Sequence, residues 1–389
     1  MIYCNFEDDF VIGNLFSTVS RAENLLMVLE EKYHKPVDEN TLLILDEIPL
    51  CPRGFARTKV LCEKISSVRI ACAGSLMGVA LRPGTSYPGN ARTERMFPMT
   101  FDEFFNAKKE ALKIEENEEN LLLAYREYSL VGGLPECVQL FLETKDFDAV
   151  RILQKRIIDI YEGDFAKHID SSVHAKLIHI LWKSIPKQLM RHTGEKHFSF
   201  QQIKIHGKRK DYDVPLSWLE DCGLIHLARR IDNAQRVPFS LYESMTFFRI
   251  HLLDIGILSA LLDVSPKLLS VYDFKSSDIR GILAEQFVAQ HLVMINNWNK
   301  LWFSNENGYE IDFLFYSEKL DIIPIEVKSG KTRISESIKR YKEKYHPHCI
   351  IVASARVSQQ DDAMYKEIPI YKIESFLTNN QQLETEKRT

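Results

Sequence analysis

The chain lacks several features that would have narrowed its function at once. Its seven cysteines (Cys4, Cys51, Cys62, Cys72, Cys137, Cys222 and Cys349) are odd in number, scattered and without a CxxC pair. That argues against a disulfide framework and against a zinc site, and suits reduced, mostly buried thiols in a cytoplasmic protein. No apolar run reaches the length of about 18 residues that a membrane-spanning helix needs. The opening "MIYCNFEDDF" has neither the basic segment nor the apolar core of a signal peptide. Neither sign of charge dominates: the formal net charge is -4. The whole molecule is therefore not an electrostatic nucleic-acid binder, and any such binding must come from a local basic patch. There is no internal repeat. A phosphate-binding loop of the form GxxxxGK(S/T) is also missing. Gly13 is the one glycine before Asp46 and no lysine follows it. The "GKT" at Gly330–Thr332 does not supply the loop, because Ile325 stands where its first glycine belongs; it is expected to be a turn.

What is present is ordinary globular composition, 45% apolar and 27% charged over 389 residues, enough for two or three domains. Residues 1–105 alternate strand and helix. Strands are expected at Ile2–Phe6, Leu42–Leu45 and Val68–Ala73, and helices at Thr18–Glu31 and Phe55–Ile65. Such alternation predicts βαβ units and a parallel sheet. "LRPGTSYPGN" reads as a loop. Residues 106–190 turn helical, punctuated by Gly132-Gly133 and Pro135. Residues 191–265 read as two short helices and then two strands joined by a polar turn at Asp232–Gln235, a winged-helix outline. Residues 266–378 open with the helix "DIRGILAEQFVAQHLVMIN". They continue with strands at "LWFSN", "EIDFLFY", "IIPIEVKS" and "CIIVAS", and a helix near Ile334–Tyr345 precedes the last strand. The tail, 379–389, is polar and expected to be loose.

Three constellations carry chemistry. In "LLILDEI" four aliphatic residues run into Asp46-Glu47, the layout of a Walker B strand. There the aspartate holds Mg2+ and the glutamate polarises the attacking water. Ser75, at the end of the neighbouring strand, is placed to sense a γ-phosphate. The competing interpretation is a solvated strand end. In the second, Asp312 lies in "YEIDFLF", and Glu326 and Lys328 lie in "IPIEVKS". Glu326 and Lys328 are two apart and share a strand face. The thirteen residues between Asp312 and Glu326 allow a return strand to bring Asp312 to the same face. Two carboxylates would share Mg2+, and Lys328 would orient water or stabilise charge on a phosphate. This is the D…ExK pattern of PD-(D/E)XK nucleases; an edge-strand ion pair is the alternative. Glu285 adds a carboxylate on a helical stripe with Ile282, Val288, Ala289 and Leu292, costly to bury without a cation or donor. In the third, Lys204, Lys208, Arg209 and Lys210 surround Gly207, and Arg229 and Arg230 follow on the expected wing. They would meet DNA phosphates or decorate a solvated turn. His168, His174 and His179 have no ligand spacing.

"LLILDEI", "CAGS", "MFPMTFDEFF", "LVGGLPECV" and "GYEIDFL…IPIEVKSG" occur in this order. Together they resemble the prokaryotic AAA-type (P-loop) ATP-binding proteins with a C-terminal winged-helix and nuclease-like region, over roughly residues 1–375. The resemblance implies an α/β multidomain chain with four parts. These are a partial AAA-type parallel sheet without Walker A (1–105), a helical lid (106–190), a winged helix (191–265) and a restriction-endonuclease-like α/β domain (266–378). It implies ATP and Mg2+ as cofactors, and Asp46, Ser75 and Arg92 at the nucleotide, with Arg95 a second candidate arginine finger. It implies Glu47 and Lys328 as catalytic groups, and Glu285, Asp312 and Glu326 as metal ligands. It places a phosphate loop before the strand "IYCNFED", so this chain is expected to begin one βα unit late, with ATP binding impaired. DNA and further copies of the chain are the candidate partners. The alternatives are a non-catalytic DNA- or protein-binding scaffold and a pure NTPase.

Overall fold

The computed structural model describes residues 1–19, 21–51, 53–64, 69–74, 91–167, 171–190, 197–203, 207–265, 277–295, 300–317, 319–331, 335–356 and 365–378. Ser75, Lys204, His168, Thr332, the "LRPGTSYPGN" loop and the tail 379–389 lie outside them. The chain divides into two compact units, Met1–Met96 with Asp221–Gly223, and Phe97–Glu220 with Leu224–Thr389.

The first unit is built on a parallel three-stranded sheet, β1 (Ile2–Asn5), β2 (Leu42–Asp46) and β3 (Arg69–Cys72), in that order. Ile2 pairs with Leu43 and Leu45 with Cys72. The expected helix at Thr18–Glu31 is two helices, α1 (Phe10–Thr18) and α2 (Ala22–Tyr33). The difference originates at Asp9, whose carboxylate accepts the Val11 and Ile12 amides and starts a helix earlier than hydrophobic spacing suggests. Helix α3 (Gly54–Lys64) follows β2. Ile12 and Phe16 of α1, Leu25 and Leu29 of α2 and Leu61 of α3 bury against Cys4, Leu43 and Leu45 of the sheet.

The second unit opens with α4 (Phe101–Leu112), whose start is a capping box between Thr100 and Glu103. Four further helices follow: α5 (Glu118–Val131), α6 (Pro135–Thr144), α7 (Phe147–Lys167) and α8 (Ser172–Leu189). Lys108 of α4 and Glu127 of α5 form an ion pair with side chains only 5% and 13% exposed. Gly132 and Gly133 end α5 because nothing larger fits. Gly132 has φ +77°, and a Cβ there would lie 2.2 Å from the Asp254 carboxylate. One on Gly133 would lie 2.2 Å from the Met99 carbonyl.

Next come α9 (Asp213–Asp221), β4 (Ile225–Ile231), β5 (Glu243–Leu252), α10 (Ile255–Leu261) and α11 (Ser277–Ile295). They are followed by β6 (Leu301–Glu306), β7 (Tyr309–Tyr316), β8 (Ile322–Lys331), α12 (Glu336–Tyr345), β9 (Ile350–Arg356) and β10 (Tyr365–Pro369). The strands form one seven-stranded sheet, in the order β10-β9-β8-β7-β6-β4-β5. β6, β7 and β8 are antiparallel, β8, β9 and β10 parallel, and β4 runs parallel to β6.

Two expectations change here. The hairpin assigned to a wing is an extension of the C-terminal sheet. Between α8 and α9 the described residues hold only three-residue 3-10 turns, at Phe200–Gln202 and Arg209–Asp211. Gly330-Lys331 is not a turn: β8 continues through it, and Lys331 pairs with Arg356. Among the described residues, no helix is long and apolar enough to cross a membrane.

Candidate functional site

The β7–β8 hairpin brings three of the predicted groups together. Phe313 pairs with Ile325 and Leu314 with Pro324, so one step further places Asp312 across from Glu326. On its other edge, against β6, strand β7 carries a bulge. On β6, Trp302 pairs with Leu314 and Ser304 with Ile311, so Phe303 alone faces the two residues Asp312 and Phe313. An extra residue of this kind bends the strand and re-aims a side chain. The carboxylate of Asp312 accepts the Val327 amide at 2.9 Å. Glu326 Oε1 accepts from Lys328 Nζ at 2.5 Å and from the Ser335 hydroxyl, at the head of α12, at 3.2 Å.

Asp312 and Glu326 are buried, with 6% and 5% of their surface exposed. Glu326 Oε2 is buried and has no hydrogen-bond partner among the described residues. Burial first, and then the charge of Asp312, push the Glu326 carboxyl up to about 7; Lys328 and Ser335 pull the other way.

A residue that the sequence analysis passed over borders this pair. Arg249, from β5, is 3% exposed. It forms an ion pair with Glu310 and donates to the Asp312 carbonyl at 3.4 Å. Its guanidinium lies 4.2 Å from the centre of the Phe303 ring. Burial alone would lower its pKa, but Glu310, Glu285 and Asp312 outweigh burial and raise it. Glu285 is therefore brought into the field of Arg249. Asp312 is common to both neighbourhoods, acting on Glu326 as well as on Arg249. No group of three or more His, Cys, Asp or Glu side chains among the described residues is spaced to hold a metal ion. What converges is a carboxylate pair with a lysine. The signal for Arg249 was available in "FFRIHLL", a lone cation inside an apolar strand.

In the first unit, Asp46 and Glu47 stand at the end of β2. Asp46 accepts from the Tyr3 hydroxyl at 2.5 Å and from the Glu47 amide at 3.1 Å. Glu47 is left-handed, with φ 50°. Gly74 passes so close that a Cβ on it would lie 2.6 Å from Pro49 and 3.6 Å from the Glu47 carboxylate. Arg92 is exposed and paired with Glu94, and Arg95 is exposed.

The basic cluster is only partly available. Lys208 and Lys210 are exposed, whereas Arg209 pairs with Asp213 at 3.1 Å. Arg230 pairs with Asp232 at 2.9 Å and packs 4.0 Å from the Phe247 ring. Arg229 lies 3.8 Å from both Glu220 and Glu243. All seven cysteines are free thiols.

Comparison with known families divides the chain in three. Residues 1–105 match the family described as AAA domain. Residues 122–268 match a domain of unknown function (DUF8612), and residues 280–373 match another (DUF4143). No curated protein is significantly similar to the chain. Among solved structures, a Walker-type ATPase of Pyrococcus abyssi is similar at 15% identity with a TM-score of 0.40, over 63% of this chain and 69% of that one.

Proposed function

We propose that the chain joins an AAA-type, ATP-linked region to a C-terminal site for Mg2+-dependent phosphodiester hydrolysis in DNA. One observation carries the hydrolytic part. Glu326 presents a buried carboxylate oxygen without a partner, beside Asp312 and Lys328. A buried anionic oxygen with no donor is costly, and a divalent cation removes that cost. Asp312 and Glu326 would hold Mg2+, while Glu285 enters only through its charge acting on Arg249. When bound, the ion polarises a phosphoryl oxygen and lowers the pKa of its water. Lys328 is anchored on Glu326 at the same strand face, where its charge can hold water or an oxyanion. The chain order α11-β6-β7-β8-α12-β9 supports a restriction-endonuclease-like arrangement, and exposed Lys208 and Lys210 support a DNA phosphate contact. ATP would meet Asp46 and Glu47, with Ser75 and Arg92 at the phosphates. The cytoplasm and an assembly of several copies complete the proposal.

The alternative, a non-catalytic scaffold, is favoured by the Lys328–Glu326 ion pair, which neutralises one carboxylate without a metal. Plasmid cleavage in Mg2+ separates the two. Cleavage lost on Asp312→Ala and on Lys328→Ala supports hydrolysis. Salt-sensitive DNA binding without cleavage, unchanged in both variants, supports the scaffold.

A further inference from the structure

The β6–β7 hairpin closes on a two-residue turn: Glu306 pairs with Tyr309, and Asn307 and Gly308 are both left-handed. Between this hairpin and α12 lies a cavity of about 440 Å³. Its floor is made of Ser304, Ile311 and Tyr341, all buried. Its walls combine flat rings with charged ends. The Arg340 guanidinium lies 3.9 Å from the centre of the Tyr309 ring. The rings of Tyr341 and Tyr345 have centres 4.7 Å apart. Lys344 and the Tyr345 hydroxyl both bind Glu306, and Arg340 lies 3.7 Å from Glu336. Glu343 also lines the cavity and is exposed. The lining therefore sets two cations, Arg340 and Lys344, against three carboxylates, Glu306, Glu336 and Glu343. A phosphate would find no excess of positive charge inside. An uncharged ring would find planes to stack on and polar groups for its edge, which is how proteins hold unstacked bases.

We propose that the cavity between the β6–β7 hairpin and α12 is a pocket for one unpaired nucleobase. The base stacks on the guanidinium plane of Arg340, which Tyr309 backs, and Glu343 and the Ser304 hydroxyl meet its polar edge. Arg340 and Lys344 are exposed, so their charged ends reach the mouth, where the sugar-phosphate stays. The volume falls within the range of about 300–1,000 Å³ usual for small-molecule sites. The pocket is separate from the proposed hydrolytic pair. Tyr309 and Ile311 face it, and strand alternation turns Glu310 and Asp312 to the opposite side. It needs no metal, and it holds equally for a chain that does not cut DNA.

The test is fluorescence anisotropy on the full-length chain without divalent ions, with melting curves for every variant. The probes are a labelled single strand of DNA of mixed sequence and the same strand made wholly abasic. The four deoxynucleoside monophosphates serve as competitors. The base-bearing strand should bind about tenfold more tightly than the abasic one, or better, the scale of one base stack. Arg340→Ala and Tyr309→Ala should bring that ratio close to one. Loss of a phosphate contact, as in Lys208→Ala, should lower both affinities and leave the ratio where it was. Should Tyr309→Ala fail to fold, Arg340→Ala and Glu343→Ala, both at exposed side chains, carry the test. Displacement of the strand by a monophosphate supports the pocket and assigns it to free nucleotides as well. Displacement by none supports it as a site for a base within a strand. Equal affinities for the two strands, a ratio that no pocket variant moves, or no binding of either strand overturns the pocket. None of these results decides Mg2+-dependent cleavage at Asp312 and Glu326, which the plasmid assay reads on its own.

Discussion

The carboxylate of Asp254 accepts the backbone amide of Gly133 at 2.7 Å, across 121 residues of sequence. It also caps α10 by accepting the Ile257 amide at 3.0 Å. The end of α5 is thereby fastened to the start of α10, and Asp254 is wholly buried. Burial first pushes its carboxyl up to about 6; the amides of Gly133, Ile257 and Gly256 and the Gln290 side chain pull it back.

Asp254 should therefore give stability a measurable pH dependence. Its folded pKa lies above the ordinary aspartate value, so its contribution is complete below about 4 and is lost as pH rises through about 6. The difference corresponds to roughly 3 kcal/mol. Urea denaturation between pH 4 and pH 7 should show a steeper loss of stability with rising pH in the wild type than in Asp254→Asn, which keeps the contribution of Glu326. Equal slopes for the two proteins would refute the assignment.

Gly132→Ala should destabilise the second unit by about 2 kcal/mol or more, since the methyl group meets the Asp254 carboxylate at a φ of +77°. Differential scanning calorimetry would show it, and an unchanged melting temperature would contradict the close approach.

The buried pair Lys108–Glu127 is expected to be worth little in itself and a great deal when half is removed. Lys108→Met alone should cost about 3–5 kcal/mol, because Glu127 is left without its cation. The double variant with Glu127→Leu should recover most of that loss. A double-mutant cycle showing simple additivity would rule this out.

Mg2+ binding at Asp312–Glu326 should be linked to protons. With Glu326 pushed up to about 7, its carboxyl holds a proton at pH 5.5 and loses it by pH 8. Apparent affinity should then fall about 30-fold between pH 8 and pH 5.5, because the ion needs the deprotonated ligand. In the absence of metal the sign is the reverse: the stabilising contribution of Glu326 is present below about 4.5 and lost as pH rises through 7. Isothermal titration at the two pH values measures the first effect. An affinity indifferent to pH would remove Glu326 from the ligand set.

The elements that advertise themselves locally were readable from the sequence. "LLILDEI" becomes β2, and the α11-β6-β7-β8-α12-β9 run follows its hydrophobic pattern. The Asp312, Glu326 and Lys328 neighbourhood followed from strand periodicity and spacing. What sequence spacing did not convey is partner choice over long distance. Nothing in "IHLARRI" says that it will lie parallel to "LWFSNE" rather than form a separate wing. The bulge at Asp312 depends on the residue count of a neighbouring strand. Arg249 had no visible partner in the sequence because Glu310 and Asp312 lie some sixty residues away, at a separation of 63 for the latter. Asp9 shows a nearer limit: a single capping side chain moved a helix start by more residues than the apolar pattern could reveal.

The β4–β6 pairing bears on any attempt to dissect this protein. Cutting the chain near residue 266 would strip β6 of a neighbour and leave a row of bare amides and carbonyls on a strand that is buried at Leu301, Trp302 and Phe303. Such an edge is a template for adding foreign strands. A fragment beginning there would be expected to self-associate or precipitate, and its failure to cut DNA would say nothing about the Asp312–Glu326 pair. Fragments meant to probe that chemistry should begin before Ile225.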